Sequence, residues 1–245
     1  MMKKLLVTLI ALGFSGVAMA GLGTDGAPHN FYDQLCGNSD TDYTSTASCD
    51  ESWNESANGD TTGEICKACH TPHMKAAAVW GDAPLWNHQI AQGSFTMYQN
   101  SFGTIDGTIA GAPGGTSKLC LGCHDGATAL DAFGAHLSGS GANFFINGSS
   151  VDYRAKVTTG VNLDNSHPVS VTYDPNDDAD LKAFSAAFGG AGYNVQTVLE
   201  ESVDPGTYYV ECASCHEPHQ DRTENEYLTR ISNHGSEMCL ACHDK

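Results

Sequence analysis

Eight of the ten cysteines in this 245-residue chain stand in one repeated arrangement, Cys-x-x-Cys-His. The copies are Cys66-Lys67-Ala68-Cys69-His70, Cys120-Leu121-Gly122-Cys123-His124, Cys212-Ala213-Ser214-Cys215-His216 and Cys239-Leu240-Ala241-Cys242-His243. With 10 Cys and 11 His in 245 residues, chance supplies roughly 0.02 copies. The spacing has a chemical reading. Two thiols separated by two residues reach the two vinyl groups of one haem and form thioethers. The adjacent His then lies under the iron and supplies its proximal nitrogen. A zinc site does not require a His in the fifth position every time. A thioredoxin-like pair needs one motif in a βαβ setting. A disulfide framework would not repeat the spacing. The expected cofactors are therefore four covalently bound haem c groups, attached at Cys66, Cys69, Cys120, Cys123, Cys212, Cys215, Cys239 and Cys242, with His70, His124, His216 and His243 as proximal ligands.

Seven histidines remain for the opposite faces of the irons: His29, His73, His88, His136, His167, His219 and His234. His73 and His219 follow a proximal His by three residues, in Cys-x-x-Cys-His-x-Pro-His. Neither can reach the iron of its own motif, because three residues cannot carry a second ring around the edge of a porphyrin. Each is expected to serve a different haem, which brings neighbouring haems into close contact. His88, in Pro84-Leu85-Trp86-Asn87-His88, and His167, in His167-Pro168-Val169, lie in Pro-punctuated turns that suit a rigidly held ligand. His29, His136 and His234 have weaker contexts.

The elements that must hold these residues are sparse. The motifs alternate in an A-B-A-B order: the first and third share Cys-x-x-Cys-His-x-Pro-His, the second and fourth Cys-Leu-x-Cys-His-Asp. The chain thus reads as a duplicated two-haem unit with insertions. Gly, Ser, Thr, Asn and Asp dominate 103–117 and 139–150, which read as loops. Helices are expected over 64–79, around the first motif, and over 177–188, where Leu181, Phe184 and Phe188 share a face that ends at Gly189. Val169, Val171 and Tyr173 alternate, as do parts of 208–211, so some strand pairing is expected. Asp174, Asn176, Asp178 and Asp180 alternate like part of a calcium loop, but Ala179 stands where Gly is needed and no Glu closes it. A solvated acidic turn is the better reading. With 40% hydrophobic residues, the core would be thin, and haem discs would supply much of it. The fold expected is a multihaem cytochrome c: mostly coil, with short α-helices and little β, a single domain organised around a stack of four haems.

The first residues suggest where this chemistry takes place. Lys3 and Lys4, an apolar run from Leu5 to about Val17, and Ala18-Met19-Ala20 have the layout of a secretory signal peptide over 1–20. The run is too short to span a bilayer comfortably, and no later segment is long and apolar enough for a membrane span. Residues 21–63 would form an N-terminal arm and 64–245 the haem domain. Export favours a Cys36–Cys49 disulfide, since neither cysteine belongs to a motif. The formal charge is −18, and loss of Lys3 and Lys4 would leave 9 basic against 29 acidic residues, a net −20. That charge disfavours nucleic acid and anionic lipid and favours cationic redox partners, metal cations or mineral surfaces.

The ordered pieces Cys-x-x-Cys-His-Thr-Pro-His, Pro-Leu-Trp-Asn-His, Leu-Cys-Leu-Gly-Cys-His-Asp-Gly, His-Pro-Val-Ser, Cys-Ala-Ser-Cys-His-Glu-Pro-His and Cys-Leu-Ala-Cys-His, across 64–245, resemble the tetrahaem extracellular cytochromes of metal-reducing bacteria. Members of this family polymerise into cytochrome nanowires. The resemblance implies bis-histidine haems in alternating parallel and T-shaped stacks, with His73, His88, His167 and His219 as the distal ligands. It also implies that a His of one subunit completes a haem of the next; His73 is the expected bridge and His29 its competitor. Self-association into a filament, and transfer to redox proteins or extracellular metal acceptors at or beyond the cell surface, would follow. A monomeric periplasmic shuttle is the alternative. A multihaem reductase needs an open iron position, often with Lys in place of the proximal His, and all four motifs here end in His.

Overall fold

A short turn that starts on Asp or Asn is stabilised when its side chain accepts the amide two residues on. The chain uses this device repeatedly. Asp174 Oδ1 accepts from Asn176 N (2.9 Å), Asp178 Oδ1 from Asp180 N (2.8 Å), Asn162 Oδ1 from Asp164 N (2.9 Å) and Asp125 Oδ1 from Ala127 N (2.8 Å). Regular elements between such turns are correspondingly brief. The structure is a computed structural model that describes residues 28–29, 66, 68–71, 85–91, 93–99, 101, 103, 105–130, 132–133, 162–189, 192–220 and 226–244. Residues 1–20, Cys36, Cys49, His73, His136 and residues 139–150 lie outside these residues.

The described residues divide between two compact units. One unit holds Pro28, His29, Glu217–Gln220 and Glu226–Thr229; the other holds the described residues of 66–216 and 230–244. In the first unit, Glu217 N donates to Leu228 O at 2.8 Å.

Among the described residues, the second unit carries four short α-helices and two small sheets: α1 (Gly115–His124), β1 (Val171–Thr172), β2 (Ala187–Phe188), β3 (Tyr193–Asn194), α2 (Val195–Val198), β4 (Glu200–Glu201), β5 (Tyr208–Val210), α3 (Cys212–Cys215) and α4 (Glu237–Cys242). One sheet has the order β1-β5-β4, antiparallel throughout, with Val171 opposite Val210 and Glu200 opposite Tyr209. The other is the β2-β3 hairpin, with Phe188 opposite Tyr193. The expected alternation at 169–173 and 208–211 thus becomes the β1-β5 pair.

Two expected helices differ. Residues 177–188 form turns that lead into β2. Asp178 N bonds back to Asp174 O at 3.1 Å and Ala186 N to Ala183 O at 2.8 Å, but no helical ladder links them. Leu181 and Phe184 nonetheless reach the core around Tyr173, Val195 and Leu199, while Phe188 joins Val198 and Ala241. Spacing of three and four residues selected buried positions there, but the turns deliver them to two clusters. Of the helix expected over 64–79, residues 66 and 68–71 are described, and there His70 N bonds back to Cys66 O and His70 bridges Trp86 in antiparallel fashion, so no helix continues through His70; the rest of that range lies outside the described residues. Conversely, Gly115–Ser117, expected as loop, starts α1. None of the described helices is long and apolar enough to cross a membrane.

Candidate haem-attachment sites

A Cys-x-x-Cys-His sequence can present both thiols and the imidazole to one disc only if the backbone between them closes a helical turn, because residues i, i+3 and i+4 share a helix face. All four motifs adopt that turn. His70 N donates to Cys66 O (2.8 Å), His216 N to Cys212 O (3.0 Å) and His243 N to Cys239 O (2.9 Å). The second motif forms the last turn and a half of α1.

Each turn is held from outside by segments distant in sequence. At the first motif, Thr71 N donates to Leu85 O and Asn87 N to Cys69 O, both at 2.9 Å. Leu85 sits at φ 67, in the left-handed region that a branched side chain rarely occupies. At the third, Arg230 N donates to Cys215 O (2.8 Å) and its Nε to Ala213 O (2.6 Å). At the fourth, Lys182 N donates to Cys242 O (2.9 Å), and the Tyr173 hydroxyl reaches Lys182 O (2.7 Å) and Cys242 O (3.1 Å).

The second motif is tied most heavily. Gly114 N donates to Ser170 Oγ (2.9 Å) and Thr116 N to a carboxylate oxygen of Glu200 (3.0 Å), so two amides at the start of α1 are capped by residues far along the chain. Ser117 Oγ in turn accepts Cys212 N at 2.9 Å, which fastens the second motif's helix to the third's. Gly122 lies so close to Gln89 O that a Cβ there would collide with it. Asp125 ends the helix, with its carboxylate accepting from Ala127 N (2.8 Å), Thr128 N (2.7 Å) and Thr128 Oγ1 (2.8 Å).

The thiols show which motifs are neighbours. Burial pushes the Cys69 thiol up to about 11, with Cys66 adding to it. Burial also raises Cys123 well above the usual thiol range, with Cys69 and then Asp125 adding their charge. Cys120 and Cys212 share a sulfur–sulfur hydrogen bond, which raises Cys120 and lowers Cys212. Burial raises Cys215, with Cys212 and Cys239 contributing, and pushes Cys242 to about 11, with Cys215 and Cys239 contributing. The first motif therefore acts on the second, the second on the third and the third on the fourth.

The described candidate distal histidines share one feature. Nδ1 of His88 donates to Gln89 O (2.7 Å), that of His167 to Pro168 O (2.9 Å) and that of His29 to Pro218 O (2.9 Å); Nδ1 of His219 lies 3.1 Å from the Glu217 carboxylate. At His167, His29 and His219 an Nδ1–H held this way keeps the lone pair at Nε2, the arrangement typical of metal-binding histidines, whereas at His88 both ring nitrogens face carbonyl acceptors. His88 is wholly buried, and its Nε2 lies 3.0 Å from Leu130 O and 3.4 Å from Cys123 Sγ. The structure brings His167 to the fourth motif: its ring centroid is 6.4 Å from that of His243, with the planes at 61°. Two imidazoles that share one metal at about 2.0 Å put their centroids roughly 6 Å apart. The fourth motif thus has two thiols and two imidazoles, the residue types that would hold a haem, as neighbours. His234, at the start of the short turn before α4, has its amide on Ser232 Oγ (3.0 Å). Sequence reasoning passed over Ser117, Ser170, Glu200 and Glu211. They come from four separated segments, and no local pattern marks them.

A family described as "Doubled CXXCH motif" matches residues 208–245, which hold the third and fourth motifs. No curated protein matches the chain. The match suggests a multihaem c-type cytochrome, with covalently bound haem and a role in electron transfer.

Proposed function

We propose that the chain carries four haem c groups and conducts electrons along them to an acceptor outside the cell, as a subunit of a filament. The observation that supports this reading is the serial neighbourhood of the thiols: Cys120 and Cys212 share a hydrogen bond, Cys69 acts electrostatically on Cys123, and Cys215 acts electrostatically on Cys242. Groups attached at such neighbouring positions would form a row without gaps. Bound haem supplies a one-electron centre; the chain fixes its place, closes both iron faces and sets its surroundings. Cys66, Cys69, Cys120, Cys123, Cys212, Cys215, Cys239 and Cys242 would hold the four groups. His70, His124, His216 and His243 would bind one face of each iron, and His73, His88, His167 and His219 the other. His167 would serve the fourth motif, from its spacing to His243. With both faces closed, no iron offers a substrate position, which favours a carrier over a reductase.

The filament rests on the resemblance of the ordered motifs to the nanowire cytochromes, and export on the leader-like start. His73 is the ligand we assign to the next subunit. Electron microscopy of the secreted fraction tests the assembly: filaments are expected, and strictly monomeric particles at high concentration would leave a monomeric electron shuttle. EPR of His167→Ala tests the ligand set: one high-spin haem is expected to appear, and an all-low-spin spectrum would remove His167 from it.

A further inference from the structure

Glu211 is a carboxylic acid only 4% exposed, placed immediately before Cys212, where β5 passes into α3. Its surroundings are built from four segments. From β1's approach, the Ser170 hydroxyl donates to Oε2 at 3.0 Å. From α1, the Ser117 hydroxyl donates to the same carboxyl while accepting the Cys212 amide at 2.9 Å. From α3, Ser214 Oγ accepts the Glu211 amide at 3.0 Å. From β4, Glu200 is the charged group that acts on it, a like charge. Ser170 and Ser117 are 1% and 0% exposed, and Ser170 is held at φ 55, a conformation that persists only when neighbours enforce it. A buried carboxylate supported by hydroxyls and faced by another carboxylate is poorly compensated. Burial pushes its acid up to about 7, with Glu200 adding to the rise and the two serines opposing it. Such a group sits at balance near neutral pH, and a nearby unit of charge tips it.

We propose that Glu211 is a redox-linked proton site: it binds a proton when a haem attached at Cys120 or Cys212 gains an electron, and releases it on reoxidation. The inference rests on the haem-attachment reading above. In the step, bound haem would accept one electron from a reduced redox partner, and the Glu211 carboxylate would take one proton from solvent to become the neutral acid. Charge in the buried junction is thereby conserved.

The test uses the loaded protein and its Glu211→Gln variant, which keeps the shape and cannot ionise. Redox titrations from pH 6 to 8 and infrared redox difference spectra are recorded on both. In the unaltered protein one reduction step is expected to weaken with rising pH, by up to tenfold in its equilibrium per unit, and reduction is expected to raise a protonated-carboxyl band. Both features vanish in Glu211→Gln at equal haem content. Equal pH dependence in the two proteins, or no such band, overturns the site. Ser170→Ala gives an independent arm, because it removes a donor to the carboxylate: the pH window should move upward, and an unmoved window also counts against the proposal. If haem is missing from the purified unaltered protein, the attachment reading falls first, and the proton site with it.

Discussion

The second and fourth motifs carry the same sequence pattern, Cys-Leu-x-Cys-His-Asp, and live in opposite surroundings. Leu121 is 1% exposed and packs with Ala91, Met97 and Leu163; its counterpart Leu240 is 43% exposed. Asp125 is buried and holds the turn that follows α1 with three hydrogen bonds to its carboxylate, whereas Asp244 is exposed and meets Lys182 at 3.8 Å, a surface pair worth about 0–1 kcal/mol. The residue before the second cysteine is Gly122 in one motif, pressed against Gln89 O, and Ala241 in the other, packed with Phe188 and Val198. The attachment chemistry fixes only the thiols and the His. Everything between and after them answers to the local packing, so a repeated motif does not imply a repeated environment. The second motif is an interior position between its neighbours, and the fourth is open to solvent along Cys239 and Leu240.

Matched substitutions can break that contrast. Leu121→Ala should destabilise the loaded protein by about 2–5 kcal/mol, the range for emptying a core leucine site, while Leu240→Ala should stay within about 0.5 kcal/mol. Denaturant titrations followed at the haem band read both; equal losses would contradict the assignment of inside and outside. Gly122→Ala should cost about 1–3 kcal/mol through overpacking against the Gln89 carbonyl. Ala241→Gly acts the other way, emptying a methyl site and loosening a helix, at about 1 kcal/mol. Asp125→Ala should cost about 1 kcal/mol or more from the lost hydrogen bonds of the turn after α1, and Asp244→Ala nothing measurable. The pH dependence of stability sharpens the same picture at Glu211. Its folded-state acid lies above the ordinary value of 4.5, at about 7. Its contribution is therefore full below pH 4.5 and is lost as the pH rises through 7. Glu211→Gln should flatten the unfolding free energy over pH 4.5 to 7.5, and an unchanged slope would place the titrating group elsewhere.

What could be read in the sequence follows from how local each constraint is. The attachment motifs were legible because thioether geometry demands a fixed spacing over five residues. The β1-β5 pair was legible from alternation at Val169, Val171 and Tyr173. The helix expected over 177–188 was not found, because turns around Asp174 and Asp178 override a spacing that Leu181, Phe184 and Phe188 satisfy for another reason. The start of α1 was read as loop because Gly114 and Gly115 oppose a helix locally. Ser170, Glu200 and the Ser117–Cys212 contact supply the support, and all come from distant segments. His167 was legible as a candidate ligand, but its place beside His243 needed the fold.

The central claim is that all four motifs, the buried one and the exposed one alike, carry haem. Intact mass spectrometry of the fully denatured chain tests it most directly. A chain heavier by four haem groups that survive unfolding is expected; fewer than four, or haem released on unfolding, would contradict it.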